Sequence, residues 1–150
     1  MKKKTVERIY KVRERNKKKP LIVLISKIKD LEYFGIKINQ KEKRILKEVW
    51  PGKVSVILQC KSKKFTYFHR GTKSIAFRLP KKKSLLDLLK KTGPMVAPSA
   101  NTEGNPPAKN IKEAKEHFGD IIDFYQNSGT ISGKPSKLIR LSGNKVETLR

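Results

Sequence analysis

The sequence is poor in the residues that build disulfides and metal sites. It has one cysteine, Cys60, and two histidines, His69 and His117, among 150 residues. A single cysteine forms neither an intrachain disulfide nor a thiolate cluster, so we expect a reducing compartment and a cytoplasmic location. The two histidines have no partner at the spacing of a zinc site. We therefore predict no metal ion held by the protein itself.

Long apolar runs are also lacking. Hydrophobic residues make up 36% of the chain, and the clearest runs are residues 21–25 and 54–58. A helix that spans a bilayer needs about 20 apolar residues, so we predict no membrane segment. No apolar region follows the lysines at positions 2–4, which argues against a signal peptide. The runs present are long enough for buried strands, and we predict a single domain over residues 1–150.

Acidic residues are scarce, and basic residues dominate. The 37 lysines and arginines outweigh 13 aspartates and glutamates, which gives a net charge of +24. A field of this sign attracts RNA, DNA or nucleotide phosphates. Only eight of the 37 cations are arginines, whose forked guanidinium makes the more specific phosphate contacts. The excess of lysine is explained equally well by RNA contact and by a solvated basic surface.

Helical and strand-like patterns alternate along the chain. Residue spacing and capping residues predict helices over residues 5–15, 26–34, 39–50, 84–91 and 110–118, the last four capped by Ser26, Asn39, Ser84 and Asn110. Strand patterns cover residues 21–26, 54–60, 74–79, 95–97, 121–125, 137–141 and 145–149, with a basic aromatic hairpin between the second and third. This alternation predicts an α/β or α+β sheet covered by helices.

Common catalytic signatures are missing. Residues 71–74 contain Gly-Thr-Lys-Ser but lack the GxxxxGK[ST] spacing of a P-loop, and no GxGxxG is found. The carboxylates are scattered, and no Ser-His-Asp triad or cysteine nucleophile is indicated. An enzyme with this sequence would work by positioning and charge neutralisation, as at a nucleotide phosphate.

Three places could carry chemistry. Lys11 and Arg13 end a basic helix, where they either grip a polyphosphate or form a solvated helix end. Arg78 lies in an apolar run, so it either faces solvent or meets an anion in a cleft, since a buried unpaired cation is costly. Ser99 and Asn101 follow a short strand, at the kind of strand end where α/β sheets bind ligands. An ordinary turn held by side chains is the alternative there.

Several short segments, taken in order, resemble motifs of the threonylcarbamoyl-AMP synthase (YrdC-like) family. They are residues 9–13 with 19–21 (family pattern iyxiKxR…kPL), 50–52 (WPG), 74–80 (tvgvRvP), 93–101 (gplvapSAN), 104–106 (sGxp), 133–136 (gxpST) and 148–150 (ilR). Each motif alone is weak, whereas the ordered set with Pro-Ser-Ala-Asn is specific. The similarity runs from about residue 5 to residue 150.

The resemblance implies a fold, a reaction and a set of roles. The fold is a twisted open mixed sheet with a large basic concave cavity. The reaction forms threonylcarbamoyl-AMP from L-threonine, bicarbonate and ATP, releases pyrophosphate, and begins the threonylcarbamoyladenosine modification of tRNA. Mg²⁺ arrives with the nucleotide, and a downstream threonylcarbamoyl transferase is the implied partner. The implied ATP contacts are Lys11, Arg13, Ser74, Ser99, Asn101 and Arg150, with Lys11 and Arg13 catalytic; Arg78 and Ser136 contact threonine.

The chain departs from the family pattern on the threonine side. A segment like "PTdTvYGL", which usually comes before the first helix, is not found, and we expect its loss to expose apolar surface and a sheet edge. Leu24 stands where many members have histidine, and Lys137 replaces the threonine after Ser136. We therefore expect the threonine pocket to differ from the family more than the ATP side.

Two other functions stay open at this point. One is a non-catalytic module that binds double-stranded RNA or tRNA, which the net charge of +24 favours. The other is a carbamoyl-transfer domain detached from a larger maturation protein. Threonine-dependent ATP turnover, salt-sensitive tRNA binding without turnover, and carbamoyl-phosphate-dependent ATP chemistry separate the three functions.

Overall fold

Helices and strands alternate in the computed structural model, which describes residues 2–150. Within that range the elements are α1 (Lys3–Val12), β1 (Ile22–Leu24), α2 (Gln40–Val49), β2 (Val54–Gln59), α3 (Thr66–His69), β3 (Ser74–Arg78), α4 (Lys83–Thr92), β4 (Met95–Val96), α5 (Ile111–Phe118), β5 (Lys137–Ser142) and β6 (Lys145–Thr148). Short 3-10 helices lie at Ile28–Phe34, Lys63–Phe65 and Gly119–Ile121. None of the helices in residues 2–150 is long and apolar enough to cross a bilayer.

The six strands form one mixed sheet in the order β4-β1-β3-β2-β5-β6. Strands β1 and β3 are parallel, as are β2 and β5. The other three pairs are antiparallel. The predicted fold class, a mixed sheet covered by helices, is confirmed.

One face of the sheet carries the hydrophobic core. Along β3, Ile75 and Phe77 are fully buried, whereas Ser74, Ala76 and Arg78 are half-buried. Because side chains of a strand alternate between its two faces, the buried set marks the packed face. The helical residues that join the same core cluster include Val6, Tyr10, Phe34 and Leu46.

The opposite face of the sheet is the more open one. The register places Ile22 and Leu24 of β1 beside Ala76 and Arg78 of β3, and all four are half-buried. Ile57 of β2 pairs with Ala76 and continues this surface. Arg78 therefore lies at the end of a half-buried, largely apolar face and not in the core.

Local signals set the ends of several helices as predicted. Asn39 and Asn110 cap α2 and α5, where their side chains accept hydrogen bonds from the amides of Glu42 and Glu113. Gly35, at a φ of 69°, ends the 3-10 helix at Ile28–Phe34 in the left-handed conformation that glycine adopts without strain.

Two predicted caps are wrong. Helix α4 begins at Lys83, so Ser84 lies inside its first turn, and the capping position is Lys82, which makes no side-chain cap. The helix after Ser26 is a 3-10 helix that begins at Ile28. Ser26 instead donates its hydroxyl and its backbone amide to the Asp30 carboxylate, each over 2.8 Å.

One predicted strand is wrong, and one predicted hairpin is correct only in its strand pairing. Residues 121–125 form no strand: Ile121 closes a 3-10 helix, Phe124 is 77% exposed, and none of the strands in residues 2–150 pairs with this segment. Strands β2 and β3 are adjacent and antiparallel, as in the predicted hairpin, but the connection between them is not a simple turn. It holds the 3-10 helix Lys63–Phe65 and α3, whose aromatic residues Phe65 and Phe68 are buried in the core.

Candidate functional site

The guanidinium of Arg13 is buried against the loop that follows β4. Its Nε donates to the carbonyl oxygen of Asn101 over 2.9 Å. Its Nη2 donates to Asn101 Oδ1 over 2.8 Å and to Ser99 Oγ over 3.1 Å. Arg13 is 4% exposed and Asn101 is 8% exposed. Three of the predicted site residues are thus in direct contact, and we call them the Arg13 cluster.

The ends of α1 and β4 bring this cluster together. Arg13 is the C-terminal cap of α1, and the buried Tyr10 fixes that end of the helix by donating its hydroxyl to the carbonyl of Lys19 over 3.0 Å. Strand β4 runs antiparallel to β1, and Ala97 N donates to the carbonyl of Ile22 over 3.0 Å. The loop after β4 therefore returns towards the start of β1, where α1 ends.

Asn101 also holds its own loop in shape. Its Nδ2 donates to the carbonyls of Thr102 and Asn105, each over 2.8 Å. Asn105 Nδ2 in turn donates to Thr102 Oγ1 over 2.8 Å. The turn held by side chains, one of the two interpretations offered by the sequence, is therefore present, and the same amide also contacts Arg13.

Glu103 joins this loop to the segment between α1 and β1, a role that sequence reasoning missed. Its backbone N–H donates to the Arg13 carbonyl over 2.9 Å. Its carboxylate accepts hydrogen bonds from Lys19 Nζ and from the backbone amide of Asn16. The bond from Lys19, followed by that from Asn16, holds the pKa of the Glu103 carboxyl below its ordinary value. A single glutamate in a polar loop gives no sequence signal of this kind.

Burial makes the Arg13 guanidinium a ready partner for an anion. Burial lowers the pKa of Arg13, the charge of Arg15 lowers it further, and Glu103 opposes both. An arginine still keeps its proton at neutral pH, because its ordinary pKa lies far above 7. Since charge-assisted hydrogen bonds to a phosphate offset the loss of hydration, an incoming anion would be favoured here.

Arg78 lies at the end of β3 and is held by the turn before β2. Its Nε donates to the carbonyl of Gly52 over 3.0 Å, and Gly52 N donates to the Leu79 carbonyl over 2.9 Å. Burial lowers the pKa of Arg78. None of the ion pairs found in residues 2–150 involves this side chain. A half-buried guanidinium without an acidic partner is suited to an anion from outside the chain.

Ser136 lies in the segment that leads into β5, at the same end of the sheet as Arg78, with β2 between them. Its Oγ is 2.9 Å from Ser55 Oγ in β2, and its carbonyl accepts a hydrogen bond from Arg150 Nη2 over 3.2 Å. Because Val56 pairs with Phe77 in antiparallel register, Ser55 comes opposite Arg78. Arg78, Ser136, Arg150 and Ser55, which we call the Arg78 group, thus collect at one end of the sheet.

Arg150 and Ser74 are not in the Arg13 cluster, although both were assigned to the ATP side. Arg150 contacts Ser136, which was assigned to threonine. Ser74 is the first residue of β3 and donates its hydroxyl to Thr72 Oγ1 over 3.3 Å. It shares the open face with Arg78 but lies about 13 Å away along the strand.

Lys11 is exposed on α1 and stays apart from both groups. No hydrogen bond or ion pair in the described part of the chain joins its ammonium to the Arg13 cluster. Instead Lys11 lines a shallow groove of about 710 Å³ along α1. The other cations that line this groove are Lys4, Arg8, Arg15 and Lys17, and its acidic residues are Glu7 and Glu14.

The hydrogen bonds found for the two histidines within residues 2–150 reach nearby parts of the chain. His69 is buried, and its Nδ1 accepts a hydrogen bond from Gly71 N over 3.2 Å. His117 Nε2 lies 3.1 Å from the Pro106 carbonyl. Across residues 2–150 no three His, Cys, Asp or Glu side chains are grouped as a metal site.

Several known proteins that are similar in sequence to this chain are named for an enzymatic activity. A threonylcarbamoyl-AMP synthase of Bacillus subtilis is 34% identical over 134 residues, which cover 87% of this chain and 37% of the relative. The threonylcarbamoyl-AMP synthase of Pyrococcus abyssi is 28% identical over 139 residues, which cover 91% of this chain and 41% of that protein. The chain therefore spans less than half the length of these two relatives.

Solved structures share the fold. Pyrococcus abyssi Sua5 complexed with L-threonine matches with a TM-score of 0.87 at 27% identity, over 98% of this chain and 44% of that chain. Escherichia coli YciO matches with a TM-score of 0.82 at 21% identity, over 98% of this chain and 72% of that one. The profile of the family Sua5_yciO_yrdC, described as "Telomere recombination", matches residues 1–150. By this match along its whole length, the chain belongs to the Sua5/YciO/YrdC family.

Proposed function

We propose that this chain is an L-threonylcarbamoyladenylate synthase. It forms threonylcarbamoyl-AMP and pyrophosphate from L-threonine, bicarbonate and ATP, for the threonylcarbamoyladenosine modification of tRNA. The observation that carries the proposal is Arg78, a half-buried guanidinium on the open sheet face that has no acidic partner in residues 2–150. The names of the relatives and the L-threonine complex of Pyrococcus abyssi Sua5 support it.

The Arg78 group is the proposed threonine side. Arg78 Nε is held by the Gly52 carbonyl, which leaves the outer edge of the guanidinium for the threonine carboxylate. The Ser136 hydroxyl adds a hydrogen bond to the same anion. Such a charge-assisted pair is stronger here than in open water, because the apolar sheet face excludes part of the surrounding water.

The Arg13 cluster is the proposed nucleotide side. Arg13 holds Ser99 and Asn101 in a fixed loop, and its Nη1, which has no hydrogen bond among the described residues, is available to a phosphate oxygen. Lys11 reaches the phosphates by turning out of the groove along α1, as a long lysine side chain can. Ser74, and Arg150 from the Arg78 group, are the outer contacts of the nucleotide, one at each end of the sheet.

The reaction needs charge neutralisation more than proton transfer. The threonine amine and bicarbonate give a carbamate with loss of water, and a carbamate oxygen attacks the α-phosphorus of ATP. The bond from that phosphorus to the leaving pyrophosphate oxygen breaks, and Arg13 and Lys11 stabilise the charge that develops there. Mg²⁺ enters with the nucleotide as part of the substrate and neutralises further phosphate charge.

The test is pyrophosphate release that depends on threonine. The wild-type chain should release pyrophosphate from ATP when threonine and bicarbonate are both present and not when threonine is omitted. Lys11→Ala and Arg13→Ala should abolish that release, whereas Lys112→Ala, on the exposed side of α5, should not. A folded wild-type chain without threonine-dependent release would overturn the proposal, and full activity of Arg13→Ala would remove the role of that residue.

A second candidate function is binding of tRNA or double-stranded RNA. The groove along α1 favours it, since five cations there face two acidic residues. Phosphate contacts from lysine and arginine give affinity without base specificity and fall steeply with salt. Together with the synthase activity, this would place the product near its tRNA substrate in the cytoplasm and near the downstream threonylcarbamoyl transferase.

A further inference from the structure

Ser55 breaks the burial pattern of strand β2. Val56 faces the core, so Ser55, the preceding residue, faces the open side of the sheet. Ile57 is half-buried and Gln59 is exposed on that same side, yet Ser55 is 0% exposed. Something on the open side therefore covers Ser55. Its contact with Ser136 shows that the segment that leads into β5 is part of this cover.

The covered hydroxyl has one partner. Ser55 Oγ lies 2.9 Å from Ser136 Oγ, and no other hydrogen bond of this hydroxyl is found in residues 2–150. A buried hydroxyl is costly unless it is hydrogen-bonded, so the pair is held together in the folded chain. The contact fixes the side-chain rotamer of Ser136, which is itself only half-buried.

The turn before β2 and the start of β2 therefore hold both members of the proposed carboxylate site. Gly52 accepts the hydrogen bond from Arg78 Nε, and Ser55, three residues later, holds Ser136. The antiparallel register also puts Ser55 opposite Arg78. The turn at Gly52 and the strand that follows it thus limit the distance and the relative orientation of a guanidinium and a hydroxyl.

We propose that Ser55 is a positioning residue of this subsite: its hydroxyl donates to Ser136 Oγ, so that the Ser136 hydroxyl donates to the carboxylate bound by Arg78. The inference rests on the proposed function and deepens it, since nothing else assigns a role to Ser55. The direction of the two bonds follows from the ligand, because a carboxylate only accepts and Ser136 must donate to it.

Calorimetric titration with L-threonine and steady-state kinetics test the role. Ser55→Ala should weaken threonine binding and raise the KM for threonine about three- to tenfold, the effect of one hydrogen bond, with kcat and the KM for ATP unchanged. Ser55→Thr keeps the donor and should bind threonine like the wild type. Ser142→Ala, at the exposed end of β5, is the matched control.

A double-mutant cycle separates positioning from independent effects. Ser136→Ala should weaken threonine binding at least as much as Ser55→Ala, and the double variant should be no worse than Ser136→Ala alone. Unfolding curves of every variant identify those that remain folded. If Ser55→Ala does not fold, threonine binding by Ser55→Thr still tests the inference.

The outcomes distinguish this inference from the proposed function. Threonine binding by Ser55→Ala equal to that of the wild type, or additive losses in the double variant, would overturn the inference and leave the proposed function intact. Loss of binding in a folded Ser55→Thr variant would also overturn it. If the folded wild-type chain did not bind threonine, the proposed function would be overturned, and so would the assignment of threonine as the ligand of this subsite.

Discussion

Arg13 and Asn101 are 88 residues apart in the chain and share two hydrogen bonds. The backbone carbonyl and the side-chain oxygen of the asparagine both accept from the same guanidinium, which is buried. The asparagine accepts two of the hydrogen bonds that the guanidinium donates. The guanidinium in turn holds the loop that carries Ser99. The nucleotide side of the proposed site is therefore organised before any ligand arrives, which lowers the ordering cost of binding.

Replacing Asn101 with alanine should destabilise the whole fold as well as the site. Arg13 would lose a side-chain acceptor, and the carbonyls of Thr102 and Asn105 would lose their donor. We expect the free energy of unfolding to fall by about 2 kcal/mol, as for other buried groups left without partners. Chemical denaturation measures it, with the exposed Asn144→Ala as control. Unchanged stability would show that the Arg13–Asn101 contact is dispensable.

Replacing Arg78 with glutamine should weaken threonine binding without lowering the stability of the fold, unlike the replacement of Asn101. The arginine is partly desolvated and has no acidic partner in the described chain, so its removal should leave the unfolding midpoint unchanged or raise it. Threonine binding should weaken about 30-fold or more, because the carboxylate loses its charged partner. Calorimetric titration and thermal unfolding measure the two effects, with Arg44→Gln on α2 as control. A large loss of stability with intact binding would contradict this assignment.

Some parts of this structure could be predicted from the sequence because their causes are local. Asn39 and Asn110 cap helices that begin one residue later, within reach of their own side chains. Residues 121–125 have the composition of a strand, but a strand also needs a neighbour to pair with, and the sequence does not specify one. A strand was therefore predicted where the chain forms none.

The site was predictable only in part, for a related reason. Arg13, Ser99 and Asn101 were grouped by the family resemblance, since no spacing rule connects residues so far apart. The burial of Ser55 depends on what covers β2 from the open side, and the contacts of Glu103 depend on a loop from another part of the chain. Neither could be obtained from the pattern of one strand or one turn.

The helix caps give a direct comparison of correct and incorrect local predictions. Asn39→Ala and Asn110→Ala should each lower the free energy of unfolding by about 1 kcal/mol, because each removes an acceptor for a helix-start amide. Ser84→Ala should change it by less than about 0.5 kcal/mol, since Ser84 is exposed within α4 and caps nothing. Urea unfolding curves compare the three variants. A cost at Ser84 equal to that at Asn39 would show that α4 begins elsewhere in solution.

Acid should loosen the loop that carries Asn101 by way of Glu103. The pKa of this carboxyl is lowered in the folded chain, so its contribution to stability is present above the ordinary glutamate pKa of 4.5 and is lost as the pH falls through the lowered value. Glu103→Gln should remove this part of the acid dependence, and Glu116→Gln, an exposed control on α5, should not. Thermal unfolding midpoints between pH 7 and pH 3 measure this acid dependence. If the midpoints of the wild type and of Glu103→Gln fell equally at low pH, the contact of Glu103 would be contradicted.

The groove along α1 should dominate any binding to RNA. Replacing Lys4 and Lys17 with glutamine removes two of its exposed cations, and replacing Lys41 and Lys47 on α2 makes the same change in net charge elsewhere. Because each phosphate contact releases a counterion, the groove variant should lower the slope of log affinity against log salt for tRNA by about 1.5, and the α2 variant should leave it unchanged. Equal effects of both variants would mean that tRNA responds to total charge and that the groove is not its binding surface.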